Sequence, residues 1–135
     1  MTKRLVPLLC FALLALPAHA AGLGDADANL PKRLIEVSLS REIPATDPQI
    51  DKVRGQLLHL ATSTGETEQD LAHACMRNAR YLYDVTRIRV SPLEVLEVLV
   101  KHAPSGKPVS ETTQRYVDLR VKQKLDHAGA LAAFR

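Results

Sequence analysis

Aromatic residues and cysteines are scarce in this chain of 135 residues. It has no tryptophan, two phenylalanines, three tyrosines and two cysteines. Because large rings are so few, aliphatic side chains must fill most of the core. Two cysteines also exclude the class of small secreted proteins that depend on several disulfides.

Motifs for catalysis and for metal binding are missing as well. The sequence has no Gly-x-Ser-x-Gly elbow, no His-Glu-x-x-His pair and no glycine-rich phosphate loop. His59, His73, His102 and His127 show no i, i+4 pairing that would favour zinc. His73 and Cys75 are two residues apart, which places them on opposite sides of a helix. We therefore expect no metal ion, no other cofactor and no catalytic residue.

The N-terminus has the three zones of a secretory signal peptide. Lys3 and Arg4 precede the uncharged apolar run Leu5–Leu16, and small side chains follow in the segment Ala18-His19-Ala20. This pattern predicts a signal peptide over residues 1–20 that is cleaved after Ala20. The apolar run is shorter than the roughly 20 residues that a helix needs to cross a bilayer, so we expect no stable membrane anchor.

Cleavage changes both the charge and the cysteine count. Lys3 and Arg4 are two of the 18 basic residues, so 16 remain against 15 acidic residues and the net charge is +1. Such a balance predicts no nucleic-acid partner. Cys10 is also removed, which leaves Cys75 alone. We interpret Cys75 as a small buried hydrophobic residue, and the alternative is an intermolecular disulfide that joins a homodimer.

The remaining chain divides into a lead and one domain. Residues 21–30 are mostly small and polar, which predicts a flexible N-terminal lead. Residues 31–135 then form a single helical domain. The segment 31–43 is ambiguous, because its apolar residues fit both a strand alternation and a helical stripe. We predict a short helix there, since few partner strands are visible in the sequence.

Helical patterns dominate the rest of the domain. Three helix starts are marked by capping residues: Asp47 before Pro48, Thr67 with Asp70, and Ser91 with Pro92 and Glu94. Nearly every side chain from Leu93 to Val100 is apolar, which predicts a buried central helix. A last helix is predicted from Ser110, with fraying after Gly129. The sequence thus predicts an all-α fold, a small bundle of four or five helices.

Periodic apolar residues give the expected core faces of the other helices. These are Ile50, Val53, Leu57, Leu60 and Ala61; then Leu71, Ala72, Cys75, Met76, Ala79, Leu82, Tyr83 and Thr86; and finally Val117, Val121, Leu125, Ala128 and Ala132.

One polar face has the composition of a protein contact. Arg77, Arg80, Tyr81, Asp84 and Arg87 fall on the outward side of the predicted second core helix. Arginine and tyrosine are enriched at interface hot spots, so these residues form a candidate partner-contact patch. The alternative is a solvated face with ion pairs from Arg80 to Asp84 and from Asp84 to Arg87.

Two stretches carry a family resemblance. Cys75–Leu82, a cysteine-led helix with a tyrosine, and Val90–Pro104, a capped apolar helix, resemble small exported helical proteins that act as immunity partners of type VI secretion amidase toxins. The resemblance implies a stoichiometric inhibitor of a cell-wall hydrolase in the bacterial periplasm, sometimes dimeric and without a catalytic residue of its own.

These observations lead to one expected function and two alternatives. We expect an exported, non-enzymatic helical binding protein with a protein partner, acting as an immunity protein or inhibitor. The first alternative is a periplasmic chaperone or stress protein, which would need exposed apolar surface. The second is a small enzyme whose residues come together only in the fold. The number and type of captured partners would separate the three.

Overall fold

The computed structural model describes residues 29–134, which form six α-helices and no strand. The all-α prediction is confirmed, with more helices than the four or five expected. The predicted signal peptide lies outside the described residues. No helix in the described part combines the length and the apolar character needed to cross a bilayer. The helices are α1 (Leu30–Leu39), α2 (Pro48–Thr64), α3 (Glu68–Thr86), α4 (Pro92–His102), α5 (Ser110–Val121) and α6 (His127–Ala133).

The ambiguous segment near residue 31 is helical, as predicted. The Asn29 side chain accepts a hydrogen bond from the Lys32 amide at 3.3 Å, and Ser40 ends α1 with a left-handed φ of 53°. Leu34 and Ile35 are fully buried. The helix begins at Leu30, which was predicted to be the last residue of the flexible lead. It ends at Leu39, before the predicted end of the segment at residue 43.

Capping fixes the starts of the next helices. The Asp47 carboxylate accepts a hydrogen bond from the Gln49 amide at 2.9 Å, and the Thr67 hydroxyl accepts one from the Asp70 amide at 3.0 Å. Gly65 ends α2 at a φ of 80°, a conformation that glycine adopts without strain.

The predicted capping box at α4 is confirmed. The Ser91 hydroxyl accepts a hydrogen bond from the Glu94 amide at 3.2 Å, and the Glu94 carboxylate accepts one from the Ser91 amide at 2.6 Å. Pro92 lies in the first turn of α4, where a backbone N–H has no acceptor within the helix. The missing N–H of proline therefore costs no helical hydrogen bond. The α4 helix therefore begins where the sequence predicts.

Helix α4 is the central element of the core. Val95, Leu96, Val98 and Leu99 are at most 1% exposed, and α4 packs against α1, α2, α3 and α5. The predicted burial of this helix is confirmed. The buried residues of α2 and α3 also follow the predicted stripes, except that Ala74 is buried in α3 without being predicted: Ile50, Val53, Leu57 and Leu60 in α2, and Leu71, Ala72, Cys75, Ala79 and Leu82 in α3.

The prediction of one long final helix is wrong. Lys124 adopts a left-handed φ of 54° between α5 and α6, and the Asp126 carboxylate caps α6 by accepting a hydrogen bond from the Gly129 amide at 2.7 Å. This break resets the helical phase. Ala128 and Ala132, which we expected in the core, are consequently exposed, and Ala130 is buried instead.

The predicted fraying after Gly129 is not seen at the C-terminal end of α6. The helix continues to Ala133, and the Phe134 ring stacks on the His102 ring with centroids 4.7 Å apart. The Arg115 guanidinium lies 5.0 Å from the centre of the Phe134 ring and donates a hydrogen bond to the Ala133 carbonyl. These contacts with α4 and α5 hold the end of α6 in place.

Candidate functional site

An open groove lies between the C-terminal part of α1 and the C-terminal half of α3. Its volume is about 530 Å³, within the usual range for ligand pockets. Ala79, Val90 and Pro92 are buried and form its floor, while Val37 and Tyr83 remain 49% and 42% exposed at its edges. We call this feature the α1–α3 groove. Its other lining residues are Ser38, Ser40, Met76, Arg80, Arg89, Ser91 and Glu94.

Hydrogen bonds fix the wall that α1 contributes to the groove. The Ser38 hydroxyl donates to the Leu34 carbonyl at 2.7 Å and accepts a hydrogen bond from the Leu93 amide at 3.1 Å. The Leu93 amide lies in the first turn of α4, where it has no helical acceptor. Ser38 therefore ties α1 to the start of α4 beside the groove.

The other wall is set by the way α3 ends. Arg87 adopts a left-handed φ of 61°, and its amide donates to the Tyr83 carbonyl at 2.8 Å. The chain then turns away from the α3 axis and runs through Arg89 and Val90 to the Ser91 cap. This turn brings Arg89 to the groove, although it lies beyond the helix.

Arginines give the groove an excess of positive charge. The Arg80 side chain is 84% exposed, and its Nε lies 3.8 Å from an Asp84 carboxylate oxygen, which confirms the first predicted ion pair. The predicted pair from Asp84 to Arg87 is not formed, because Arg87 leaves the helix as its C-cap. Within residues 29–134, no carboxylate lies within 4.0 Å of the guanidinium groups of Arg77, Arg87 or Arg89.

Of the predicted patch, one residue lines the groove. Arg77, Arg80, Tyr81, Asp84 and Arg87 are all exposed, and only Arg80 contributes to the groove lining. Met76, Ala79 and Tyr83 come from the predicted core face of α3, and the remaining groove residues come from α1 and from the segment between α3 and the first turn of α4. The sequence identifies Ser91, Pro92 and Glu94 as capping residues, but no local pattern places these segments together.

The prediction that Tyr83 belongs to the core is wrong. Tyr83 was expected to widen the buried face of α3, and it is 42% exposed at the edge of the groove. Its ring lies under the Arg87 guanidinium, 5.8 Å from ring centre to Cζ. Tyr83 lies at the border of the apolar stripe of α3, where its ring reaches the groove and not the core.

Most of the exposed large apolar side chains come from two segments that also contribute residues to the groove. Among residues 29–134, six of the seven large exposed hydrophobic residues come from the segments 37–39 and 81–88. Val37 and Tyr83 line the groove itself. Concentrated apolar surface of this kind is typical of interaction sites in soluble domains. The six residues are Val37, Leu39, Tyr81, Tyr83, Val85 and Ile88.

A second notable site is a polar cluster that joins α4, α5 and α6. The His127 Nε2 lies 2.9 Å from a Glu97 carboxylate oxygen, and the His127 Nδ1 lies 3.0 Å from the Tyr116 hydroxyl. Arg120 Nη1 donates to the same hydroxyl at 3.4 Å. With the His127 proton on Nε2, Tyr116 donates to Nδ1 and His127 donates to Glu97, so every contact is satisfied.

The chemistry of the polar cluster favours a structural role. Tyr116 is fully buried, and burial raises the pKa of its hydroxyl to about 12. Such a tyrosine remains protonated at neutral pH and holds its neighbours by hydrogen bonds. Hydrogen bonds from Lys101 and then from His127 lower the pKa of Glu97 and keep it ionised. The cluster has no local signal in the sequence, because its members are up to 30 residues apart.

The other histidines form no site with their neighbours. His59 is exposed, His73 is half-buried, and His102 stacks on Phe134. Burial, followed by the charges of Lys101 and Arg115, lowers the pKa of His102. Across residues 29–134, no group of three or more histidine, cysteine or acidic residues has the arrangement needed to hold a metal ion.

Cys75 is packed in the core and its thiol is free. Its side chain has no exposed surface, and burial raises the pKa of its thiol to about 12. This location agrees with the interpretation of Cys75 as a small buried hydrophobic residue. The alternative, a disulfide between two copies, would require the thiol to leave the core. On a non-reducing gel, we expect the oxidised protein to run as a monomer.

Replacing Cys75 with alanine should reduce the loss of stability at alkaline pH. The folded thiol has a pKa of about 12 against 9.0 when unfolded, so folding opposes its ionisation and stability falls as pH rises above 9. At pH 10 this effect lowers the free energy of unfolding by roughly 1 kcal/mol relative to pH 7. Urea denaturation of the wild type and of Cys75→Ala at both pH values measures the difference. An identical pH dependence would contradict the prediction.

Comparison with known proteins gives no match, so the groove and the polar cluster are the basis for assigning function. No protein-family model matches the chain, and neither does any curated protein or any solved structure.

Proposed function

We propose that this protein is an exported, non-enzymatic helical domain that binds a partner protein through the α1–α3 groove. The observation that carries the proposal is the coincidence of three features at one place. The groove has an apolar floor, two arginines, Arg80 and Arg89, and two exposed hydrophobic side chains, Val37 and Tyr83, at its edges. Buried apolar contact with flanking arginine is the usual composition of an interface hot spot. The signal-peptide pattern of residues 1–20 supports export.

The partner we propose is a secreted cell-wall hydrolase, which this protein inhibits in the bacterial periplasm. The resemblance to immunity proteins supports this partner class. The two stretches that carry the resemblance also supply much of the groove: Ala79 and Arg80 come from the first, and Val90 and Pro92 from the second. An inhibitor of this kind acts by surface complementarity and needs no chemistry of its own.

Capture of partners from the periplasm tests the proposal. The affinity-tagged protein is expressed with its signal peptide, recovered from the periplasm, and the proteins bound to it are identified by mass spectrometry. We expect one partner in a 1:1 complex, and inhibition of its hydrolase activity on purified cell wall. Many unfolded clients would instead indicate a chaperone, and capture of no partner would contradict the proposed function.

Charge reversal at Arg80 should weaken binding of the captured partner at least tenfold. A glutamate at this position places a negative charge at the groove and removes a guanidinium fork that binds carboxylates. The Arg80 side chain is 84% exposed, so the melting temperature should stay unchanged. Calorimetric titration of the partner into Arg80→Glu measures the change.

Arg54→Glu is a matched control for that variant. Arg54 forms an exposed ion pair with Asp51 one helical turn away, just as Arg80 does with Asp84, and it does not line the groove. Both variants therefore lose one surface ion pair of small energetic value. Equal loss of affinity in the two variants would show that general charge, and not the groove, controls binding.

A further inference from the structure

We infer that the α1–α3 groove binds an acidic segment of the partner that inserts one apolar side chain between α1 and α3. This inference rests on the proposed function and specifies the chemistry of the segment recognised. The binding surface combines an apolar floor with a positively charged edge, and each of these features constrains the occupant separately.

The floor requires an apolar anchor. Ala79 and Val90 are 5% and 8% exposed, and Met76 beside them is only partly buried, so the lower surface of the groove offers almost no polar atoms from side chains. An inserted charged or amide side chain would lose its hydration there without gaining a partner. An aliphatic or aromatic side chain gains by removing its surface from water.

The positively charged edge of the groove favours carboxylates in the bound segment. Arg80 and Arg89 line the groove together with one acidic residue, Glu94, so the lining has a net charge of +1. Glu94 accepts the hydrogen bond of the Ser91 amide in the capping box. Asp84 lies 3.8 Å from Arg80 with both side chains more than half exposed, so water weakens the pair. Arginine forks bind carboxylates in bidentate geometry, and a basic segment would be repelled.

The apolar neighbours of the arginines favour a protein segment over a nucleic acid. Sites for single-stranded nucleic acid place aromatic rings so that successive bases stack on them. Here the two exposed hydrophobic side chains that line the groove are the aliphatic Val37 and a single ring, Tyr83, which already lies under the Arg87 guanidinium. Aliphatic side chains pack well against those of another protein, and they offer no stacking surface to a base.

Selection from a random peptide library tests the inference. Twelve-residue peptides displayed on phage are selected on the protein purified from the periplasm, after removal of phage that bind the double variant Arg80→Glu/Arg89→Glu. We expect the enriched peptides to carry two or more Asp or Glu residues beside one Leu, Ile, Phe or Tyr. Synthetic versions should lose at least tenfold in affinity when the acids become lysine or the apolar residue becomes serine.

Arg54→Glu is the control variant for this selection, and several outcomes would contradict the inference. The peptides should bind Arg54→Glu as they bind the wild type, and circular dichroism should show that all variants are folded. Enrichment of basic or uncharged peptides, no enrichment, or tighter groove binding of a single-stranded oligonucleotide would each overturn the inference. The proposed function would survive these outcomes if the periplasmic partner still binds 1:1, whereas failure to capture any partner would contradict the function itself.

Discussion

Replacing Leu99 with alanine is expected to lower the free energy of unfolding by about 3 kcal/mol. Leu99 is fully buried in α4, and this helix packs against four of the other helices. Truncation removes three carbon atoms from the middle of the core and leaves a cavity that α1, α2, α3 and α5 cannot all move to fill. Domains of this size have unfolding free energies of about 5–15 kcal/mol, so the loss is a large share of the total.

Leu58→Ala is the matched control for the core substitution. It removes the same atoms from a leucine that is 55% exposed on α2, and we expect a change within about 0.5 kcal/mol. Urea denaturation monitored by circular dichroism measures both variants. Similar losses in the two variants would contradict the location of the core, because burial is the main difference between the two sites.

Replacing Tyr116 with phenylalanine should lower the free energy of unfolding by about 2 kcal/mol. The substitution keeps the ring and removes one hydroxyl, which contacts His127 Nδ1 at 3.0 Å and accepts a hydrogen bond from Arg120. Arg120 is 6% exposed, and this hydroxyl is its acceptor among the described residues. The variant therefore leaves a buried guanidinium and an imidazole nitrogen without their partner, which costs more than the lost bonds alone.

Tyr81→Phe is the control for the loss of a hydroxyl. Tyr81 is 52% exposed on α3, where water replaces any lost hydrogen bond, so its stability should stay within about 0.5 kcal/mol of the wild type. A double-mutant cycle with His127→Ala then isolates the coupling between Tyr116 and His127. A coupling energy near zero, together with a small effect of Tyr116→Phe, would show that the polar cluster does not join α5 to α6.

Local signals predicted most of the fold because the helix starts are encoded within three or four residues. The capping box of Ser91 and Glu94 and the Asp47 cap are local pairs, and each forms as expected. The break at Lys124 was missed, since a left-handed conformation at a lysine has no compositional signal. The cap at Asp126 was missed as well, although an aspartate three residues before Gly129 is a local signal.

The candidate site was less predictable, because its parts come from separate segments. Arg80 was found from its position on the outward face of α3. Val37 and Arg89 were not, since they reach the groove only when α1 and the segment after α3 pack together. The same reason explains why the contact between Glu97 and His127 was missed. Sequence patterns show which face of a helix is buried, and they do not show which helix covers it.

The hydrogen bond between Ser38 and Leu93 has a consequence for the order of events during biosynthesis. Its two residues are 55 positions apart, so α1 leaves the ribosome well before the Leu93 amide that donates to Ser38 exists. An unfinished chain that stops before Leu93 contains α1 and α3 but lacks the amide of α4 that ties α1 in place beside the groove. The nascent chain therefore fixes the α1 wall of the groove late, after most of its length has been synthesised.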